Sequence, residues 1–325
     1  MSLGFETLTE SQNRIVVWLT MGIKRMKFAY MIMAHNNQAQ LELLLKLLDA
    51  EENDIFLHID KKNKDINDVN IRRNVKRAKI HVYRKYKVYH ADISQTKCQI
   101  YLLEEASKTF HDYYHLISNA DLPLKNNNVI SSFFENNKGK QFIHFEDKAF
   151  CNKDNCIYYH FFFSWHSAAK SRMIRCCLEK MEDISLAIQK RIKVNREFYC
   201  GANWYSITHE LARDFCLHRK EILKKVRWTI CSDELVLQTF VRCISQNKYF
   251  IYKETDDDSD YTSLERAIDW KRGEPYVWRS CDYDELMSST SLFARKFDSN
   301  IDKDIVIRIS DYLLMENEER KPNQI

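Results

Sequence analysis

The sequence predicts an α/β fold: a mostly parallel, doubly wound sheet flanked by helices, in a single domain. Three observations carry this. Short apolar runs alternate with segments of helical periodicity from Met26 onward. The first run, Phe28–Ala34 (FAYMIMA), is apolar throughout, as a strand covered on both faces must be. The 325 residues contain only 5 glycines and 3 prolines, and no Pro/Gly/Ser-rich stretch marks a linker.

The elements follow in order. After Phe28–Ala34, the leucine-dense segment Leu41–Leu48 predicts a helix packed on the sheet. Asp54–Ile59 (DIFLHI) and Lys79–Tyr83 (KIHVY) predict the second and third strands, and Ser94–Ser107 a helix. Tyr113–Ile117 (YYHLI) predicts a fourth strand, with Pro123 stopping the ladder soon after. Val129–Asn136 reads as a helix and Gln141–Phe145 as a fifth strand. Beyond residue 150 the pattern is less regular. It predicts helices over 168–193, Asp233–Ser245 and Asp302–Glu316, and strands at Tyr199–Ile207, Ile268–Trp270 and Leu292–Phe297. Gly201, inside the first of these strands, predicts a close backbone approach. Three regions result: an N-terminal appendage (1–25), a half (26–150) built for a ligand, and a half (151–325) that completes the same domain. Ligands of such sheets bind beyond the carboxyl ends of the strands. The residues there are His35, Asp60, Tyr89–Asp92 and Ser118–Asp121.

Composition narrows the function classes. Apolar residues make up 45 %, enough for a real core. The 50 basic and 46 acidic residues give a net charge of +4. That is too even for a nucleic-acid binder but suits an anionic ligand. The run Ile15–Ile23 is too short to span a bilayer, which needs about 20 residues. Lys24 and Arg25 follow it, where a signal peptide would place its charges first. These features predict no stable membrane insertion and a cytoplasmic protein. The ten cysteines show no C-x₂-C spacing and are expected to be reduced, mostly buried thiols.

No G-x-G-x-x-G follows the first strand and no G-x-x-x-x-G-K-[ST] occurs, which excludes the common dinucleotide and P-loop readings. Many nucleotide-sugar enzymes hold a metal on Asp-x-Asp near the fourth strand. The equivalent place reads Asn119-Ala120-Asp121, so one carboxylate is an amide, and a hard cation prefers charged oxygens. The acidic run Asp256–Asp260 is the rival metal site, or else a solvated loop.

Seven segments occur in order: AYMIMAH (29–35), DIFLHIDKK (54–62), YYHLISNADLPLK (113–125), FFENNKGKQFI (133–143), CGANWYSIT (200–208), SDELVLQTF (232–240) and LFARKFD (292–298). Together they resemble the core-2/I-branching β-1,6-N-acetylglucosaminyltransferase family, which includes peptide O-xylosyltransferases, over about residues 26–300. The resemblance implies a GT-A-type fold and inverting transfer of a sugar from a UDP-sugar to a hydroxyl of a glycan acceptor. The implied sugar is N-acetylglucosamine first and xylose second. No metal and no other cofactor is implied. Glu234 matches the family's catalytic base. Lys296 matches a cation that holds the UDP diphosphate, and Arg279 a second one. Its spacing from Lys296 looks shorter than in the animal enzymes, so Arg272 is a rival. Asp60 matches a uridine-side contact, and Asp121 ends a turn, Ser118–Asp121, near the donor. His35 and Tyr89 complete the implied nucleotide side, and Trp204 could stack on an acceptor sugar. The family's Trp-Gly-Gly stretch reads His90-Ala91-Asp92, which leaves open a non-catalytic relative that binds glycans or nucleotide sugars. The chain looks like a bacterial, soluble version that builds surface polysaccharide.

The chemistry is self-consistent. An attacking hydroxyl needs a base, and departing UDP needs positive charge that fixed cations can supply in place of a metal. Plainer readings stand beside each role. Asp233 and Glu234 open a predicted helix as cap and dipole-matched carboxylate. Asp60 and Asp121 can shape turns, Trp204 can be core, and the aromatic segment Tyr158–Trp165 can be packing.

Overall fold

The computed structural model describes residues 26–146, 159–162, 171–192, 198–245, 248–253 and 261–319. The appendage 1–25, the run Asp256–Asp260, Cys151, Cys156, Tyr158 and Trp165 lie outside the described residues.

Strands β1 (Phe28–Ala34), β2 (Asn53–Ile59), β3 (Lys79–Tyr83) and β4 (Tyr113–Ser118) are parallel and stand in the order β3-β2-β1-β4. The sheet continues through β7 (Tyr205–Thr208), antiparallel to β4, to β6 (Phe142–Ile143). Residues from both halves of the chain therefore share one six-stranded sheet. The all-apolar β1 is explained by its two covered faces: Phe28, Tyr30, Ile32 and Ala34 enter one core and Ala29 and Met31 the other. Helices α1 (Gln38–Leu47), α4 (Asn127–Asn136) and α10 (Lys303–Glu319) cover the first face. Helices α3 (Ile93–Ala106), α6 (His209–Leu217) and α7 (Arg219–Lys225) cover the second. Short α2 (Asp68–Arg73), long α5 (Arg172–Arg191) and α9 (Tyr283–Ser288) complete the set apart from α8 below.

Several elements differ from the expectations. Pro123 does not simply stop a ladder. Asp121–Pro123 forms β5, and a second, three-stranded sheet runs β5-β9-β8, with β8 at Arg266–Ile268 and β9 at Phe293–Arg295. The predicted strand Ile268–Trp270 is thus shifted toward the N-terminus. Tyr199–Ile207 is paired as a strand only from Tyr205, and the residues before it bond elsewhere: Cys200 O accepts from Glu146 N at 2.8 Å and Gly201 N donates to Glu234 O at 3.0 Å. Asp233–Ser245 is not one helix: a 3₁₀ turn (Ser232–Glu234) leads into α8 (Val236–Thr239) and then a π turn (Phe240–Ile244). Asp233 is no cap, since the residue before α8 is Leu235 and no side-chain cap bond forms there. The cysteines are also more varied than expected. Cys98 and Cys216 are buried free thiols, Cys176, Cys177 and Cys281 are exposed, and Cys200 is disulfide-bonded.

Candidate functional site

The chain runs from β1 outward to β3 and then returns to place β4 on the other side of β1. The topological switch therefore lies between β1 and β4, and sheets of this kind take ligands in the crevice beyond the carboxyl ends of the strands at that point. Two loops meet there. Asn119 Nδ2 donates to Asn36 O at 2.8 Å, and the buried Gln40 Nε2 donates to Asn119 O at 2.8 Å and to Phe297 O at 3.1 Å. Gln40 Oε1 accepts from Ser299 N at 2.8 Å. One buried amide thereby joins the start of α1, the β4–β5 turn and the chain after β9.

His35 follows β1 and feels Asp60, Lys296, Arg295 and Lys62 together. Desolvation lowers its pKa, Asp60 opposes this, and the three cations reinforce it. A neutral imidazole at neutral pH can then act as a hydrogen-bonding partner. Asp60, buried after β2, accepts from Lys62 N at 2.8 Å, and Lys62 Nζ stands 3.4 Å from its Oδ2. The same ammonium lies 4.1 Å from the centre of the Tyr89 ring. Asp60 and Tyr89 are joined through Lys62, a residue within DIFLHIDKK to which sequence reasoning assigned no role.

Asp121 is fully buried. Its Oδ2 accepts from Ser118 N and Ser118 Oγ, both at 2.6 Å, and from Arg295 Nη1 at 3.0 Å. Its Oδ1 accepts no hydrogen bond among the described residues. Arg295 also covers Trp204, 4.2 Å from ring centre to guanidinium carbon. Arg295 was missed too, although it sits beside Lys296 in LFARKFD. Trp204 is half-buried and precedes β7, and the arginine that binds Asp121 lies against its ring.

Glu234 ends the 3₁₀ turn. Its carbonyl accepts from Gly201 N at 3.0 Å, which ties the turn to the segment carrying Trp204. Gly201 is where the chain must approach closely: a Cβ would overlap the His144 carbonyl. The other side of the turn rests on α3. Thr96 Oγ1 and Ser232 Oγ are 2.6 Å apart, and Gln95 Nε2 donates to Asp233 Oδ2 at 2.7 Å. Ala91 O accepts from Cys231 N at 2.9 Å, so the His90-Ala91-Asp92 stretch directly supports this turn. Ala91 itself has φ 59°, a conformation glycine adopts more easily.

The three candidate cations have different surroundings. Lys296 is half-buried, its Nζ makes no hydrogen bond or ion pair among the described residues, and it lies in the field of His35. Arg279 reaches the backbone, with Nη1 3.1 Å from Ile301 O, and its neighbour Trp278 N donates to Lys296 O at 3.0 Å. Arg272 is committed elsewhere. It pairs with Asp269, with Asp282 at 2.7 Å and with Glu285 at 3.2 Å, and stacks on Tyr276. His35, Asp60, Tyr89, Asp121 and Lys296 thus belong to one edge, with Trp204 and Glu234 joined to it through residues 201–204. Arg272 sits in its own ion-pair cluster. No group of three or more His, Cys, Asp or Glu side chains placed to hold a metal ion occurs among the described residues.

Comparison with known proteins adds the following. Residues 28–290 match the family model described as Core-2/I-Branching enzyme. Xylosyltransferase 2 from Rattus norvegicus is 20 % identical over 309 residues, covering 89 % of this chain and 34 % of that protein. Xylosyltransferase 2 from Canis lupus familiaris is 20 % identical over 308 residues, with the same coverage. The chain spans about a third of the length of these curated relatives. The apo crystal structure of mouse xyloside xylosyltransferase 1 aligns with a TM-score of 0.35 at 10 % identity, over 82 % of this chain and 96 % of that one.

Proposed function

Because this chain belongs to the Core-2/I-branching enzyme family, we propose that it is an inverting GT-A-type glycosyltransferase. It moves a sugar from a UDP-sugar to a hydroxyl of a glycan acceptor without a metal ion. The observation that carries the metal-free part is the pairing of roles at the crevice. Asp121 stands beside an amide, Asn119, and its charge is already matched by Arg295, which leaves little net charge for a hard cation, while Lys296 keeps an ammonium unpaired among the described residues. Positive charge for the departing diphosphate is then built in as side chains. Arg279, next to Trp278 whose N–H donates to the Lys296 carbonyl, is the proposed second cation.

Glu234 is the proposed base. Its turn is fixed from both sides by Gly201 and by α3, so a carboxylate there can be held ready for an acceptor hydroxyl stacked near Trp204. Proton abstraction by such a group contributes about 10²–10⁴-fold. Glu234→Gln should therefore lower transfer by about 10²-fold or more with UDP affinity nearly unchanged. Retention of a tenth of the wild-type rate would reject Glu234 as base. UDP affinity measured by calorimetry in EDTA and in manganese should agree. A gain of about tenfold with manganese, or about 1.4 kcal/mol, would reject the metal-free mechanism.

The donor is N-acetylglucosamine or xylose. The resemblance to the β-1,6-N-acetylglucosaminyltransferases favours the first and the named relatives favour the second. UDP release measured across UDP-N-acetylglucosamine, UDP-xylose and other UDP-sugars separates them. UDP binding with no release from any donor would favour a nucleotide-sugar-binding relative instead.

A further inference from the structure

Helix α5 turns its apolar side outward. Leu178, Glu182 and Gln189 are its buried residues, and its anchoring is partly polar. Gln189 Oε1 accepts from His160 N at 2.7 Å, and its Nε2 donates to His160 O at 2.8 Å. Met173, Ile174, Met181, Ile184, Ile188 and the following Ile192 are exposed, with Met173 at 75 %, Ile184 at 61 % and Ile192 at 67 %. At about 100° per residue these side chains fall in one stripe along the helix. A groove of about 570 Å³ carries the stripe on to Phe162, whose ring lies 5.5 Å from that of the exposed Trp228.

On the helical projection Lys180 and Arg191 border the stripe, while Glu179 and Asp183 fall on the side turned away from it. Arg227 lies 4.8 Å from the Trp228 ring centre, and Lys224 and Lys225 end the adjoining α7. Both ends of α5 are basic, with Arg172 and Arg175 at one and Lys190 and Arg191 at the other. Arg172, Arg175 and Lys190 project away from the stripe, and the stripe and its borders carry no carboxylate, so a second copy docked on it would offer none to Lys180 and Arg191. An anionic surface with an apolar interior complements both the stripe and its rim.

We infer that α5, with Phe162 and Trp228, docks this protein in the plane of an anionic lipid bilayer. The isoleucines and methionines enter the acyl boundary, and Lys180, Arg191 and Arg227 meet the headgroups. The surface is separate from the catalytic crevice, so this inference stands or falls independently of the proposed reaction.

The test is sedimentation of the full chain with vesicles of phosphatidylcholine alone and of phosphatidylcholine mixed with phosphatidylglycerol. Binding is expected to the mixed vesicles, with release at high salt. Ile184→Glu with Ile188→Glu should weaken it by about tenfold or more, and Lys180→Glu with Arg191→Glu should remove the preference for anionic lipid. Circular dichroism should show both variants folded, because the altered positions are exposed. Wild-type protein that stays in solution with both vesicle types would overturn the inference. So would a dimer mass in light scattering that the isoleucine variant abolishes, which would assign the stripe to a second copy. Loss of thermal stability in that variant without any vesicle binding would assign the stripe to the chain's own cover.

Discussion

At the residue scale, three cations that look alike in the sequence differ in what already holds them. Arg272 is neutralised by three carboxylates, so a phosphate would have to displace them. Arg279 spends one donor on a backbone carbonyl. Lys296 has its charge uncommitted among the described residues. A diphosphate should therefore gain most from Lys296. Lys296→Ala should weaken UDP binding by about 1.5–3 kcal/mol, the worth of a hydrogen bond to a charged group, and leave uridine binding almost unchanged. Calorimetry with both ligands checks this, and equal weakening would assign Lys296 to the fold. Arg272→Ala should instead lower stability and spare the UDP to uridine ratio. The sequence could place these cations near one another but could not rank them. The partners of Arg272 include Asp282 and Glu285, ten and thirteen residues away, and such pairings have no periodic signal. Arg295 was hidden for a related reason: its role depends on Ser118 and Asp121, 177 and 174 residues earlier.

At the element scale, long apolar runs were legible and short irregular pieces were not. Phe28–Ala34 and Lys79–Tyr83 have the boundaries read from sequence, because β1 is buried on both faces and β3 alternates Ile80 and Val82 toward the core, patterns that show in the side chains. Of the β5-β9-β8 sheet, the sequence shows β9 within Leu292–Phe297 and only the edge of β8, and it does not show β5, since three residues carry no period. The stretch 200–204 reads as strand because its apolar residues suit one, yet it links the parts of the candidate site. Gly201 was legible as a close approach, and it joins packing to function. Any Cβ there meets the His144 carbonyl and the Gln238 amide, so the segment must move, and with it the hydrogen bond that holds Glu234. Gly201→Ala should cost about 2–4 kcal/mol of stability. It should also lower transfer more than it lowers UDP affinity, because the proposed donor edge is built by other strands. Denaturant unfolding together with steady-state kinetics tests both parts. A variant with wild-type stability would refute the close approach.

At the scale of the whole molecule, the sheet buries titratable groups that must stay neutral for the fold to persist. His58 in β2 is buried and its Nε2 accepts from Tyr86 N at 3.0 Å, fixing the loop that leads to Tyr89. Burial pushes its pKa down to about 4, with Asp60 opposing and Arg84 adding to the fall. His115, fully buried between the two sheets beside Arg266, is lowered well below its ordinary value for the same reason. The unfolded chain protonates these rings from about pH 6.5 downward, while the folded protein leaves them neutral until far lower. The unfolded state therefore binds more protons in that window, and stability must fall as pH falls. Above the unfolded pKa the contribution is complete, and below about pH 4 the His58 part is fully lost. His58 alone should remove about 2 kcal/mol between pH 7.5 and 5, with His115 adding to it. Carboxylates with depressed pKa values, such as Asp54 beside His111, act only in more acidic solution and do not confuse the window. Urea unfolding at the two pH values measures the effect. Replacement of His58 by glutamine, which keeps an acceptor but cannot titrate, should flatten that part of the slope. Stability that stays level between pH 7.5 and 5 would show that neither ring is held neutral by the fold.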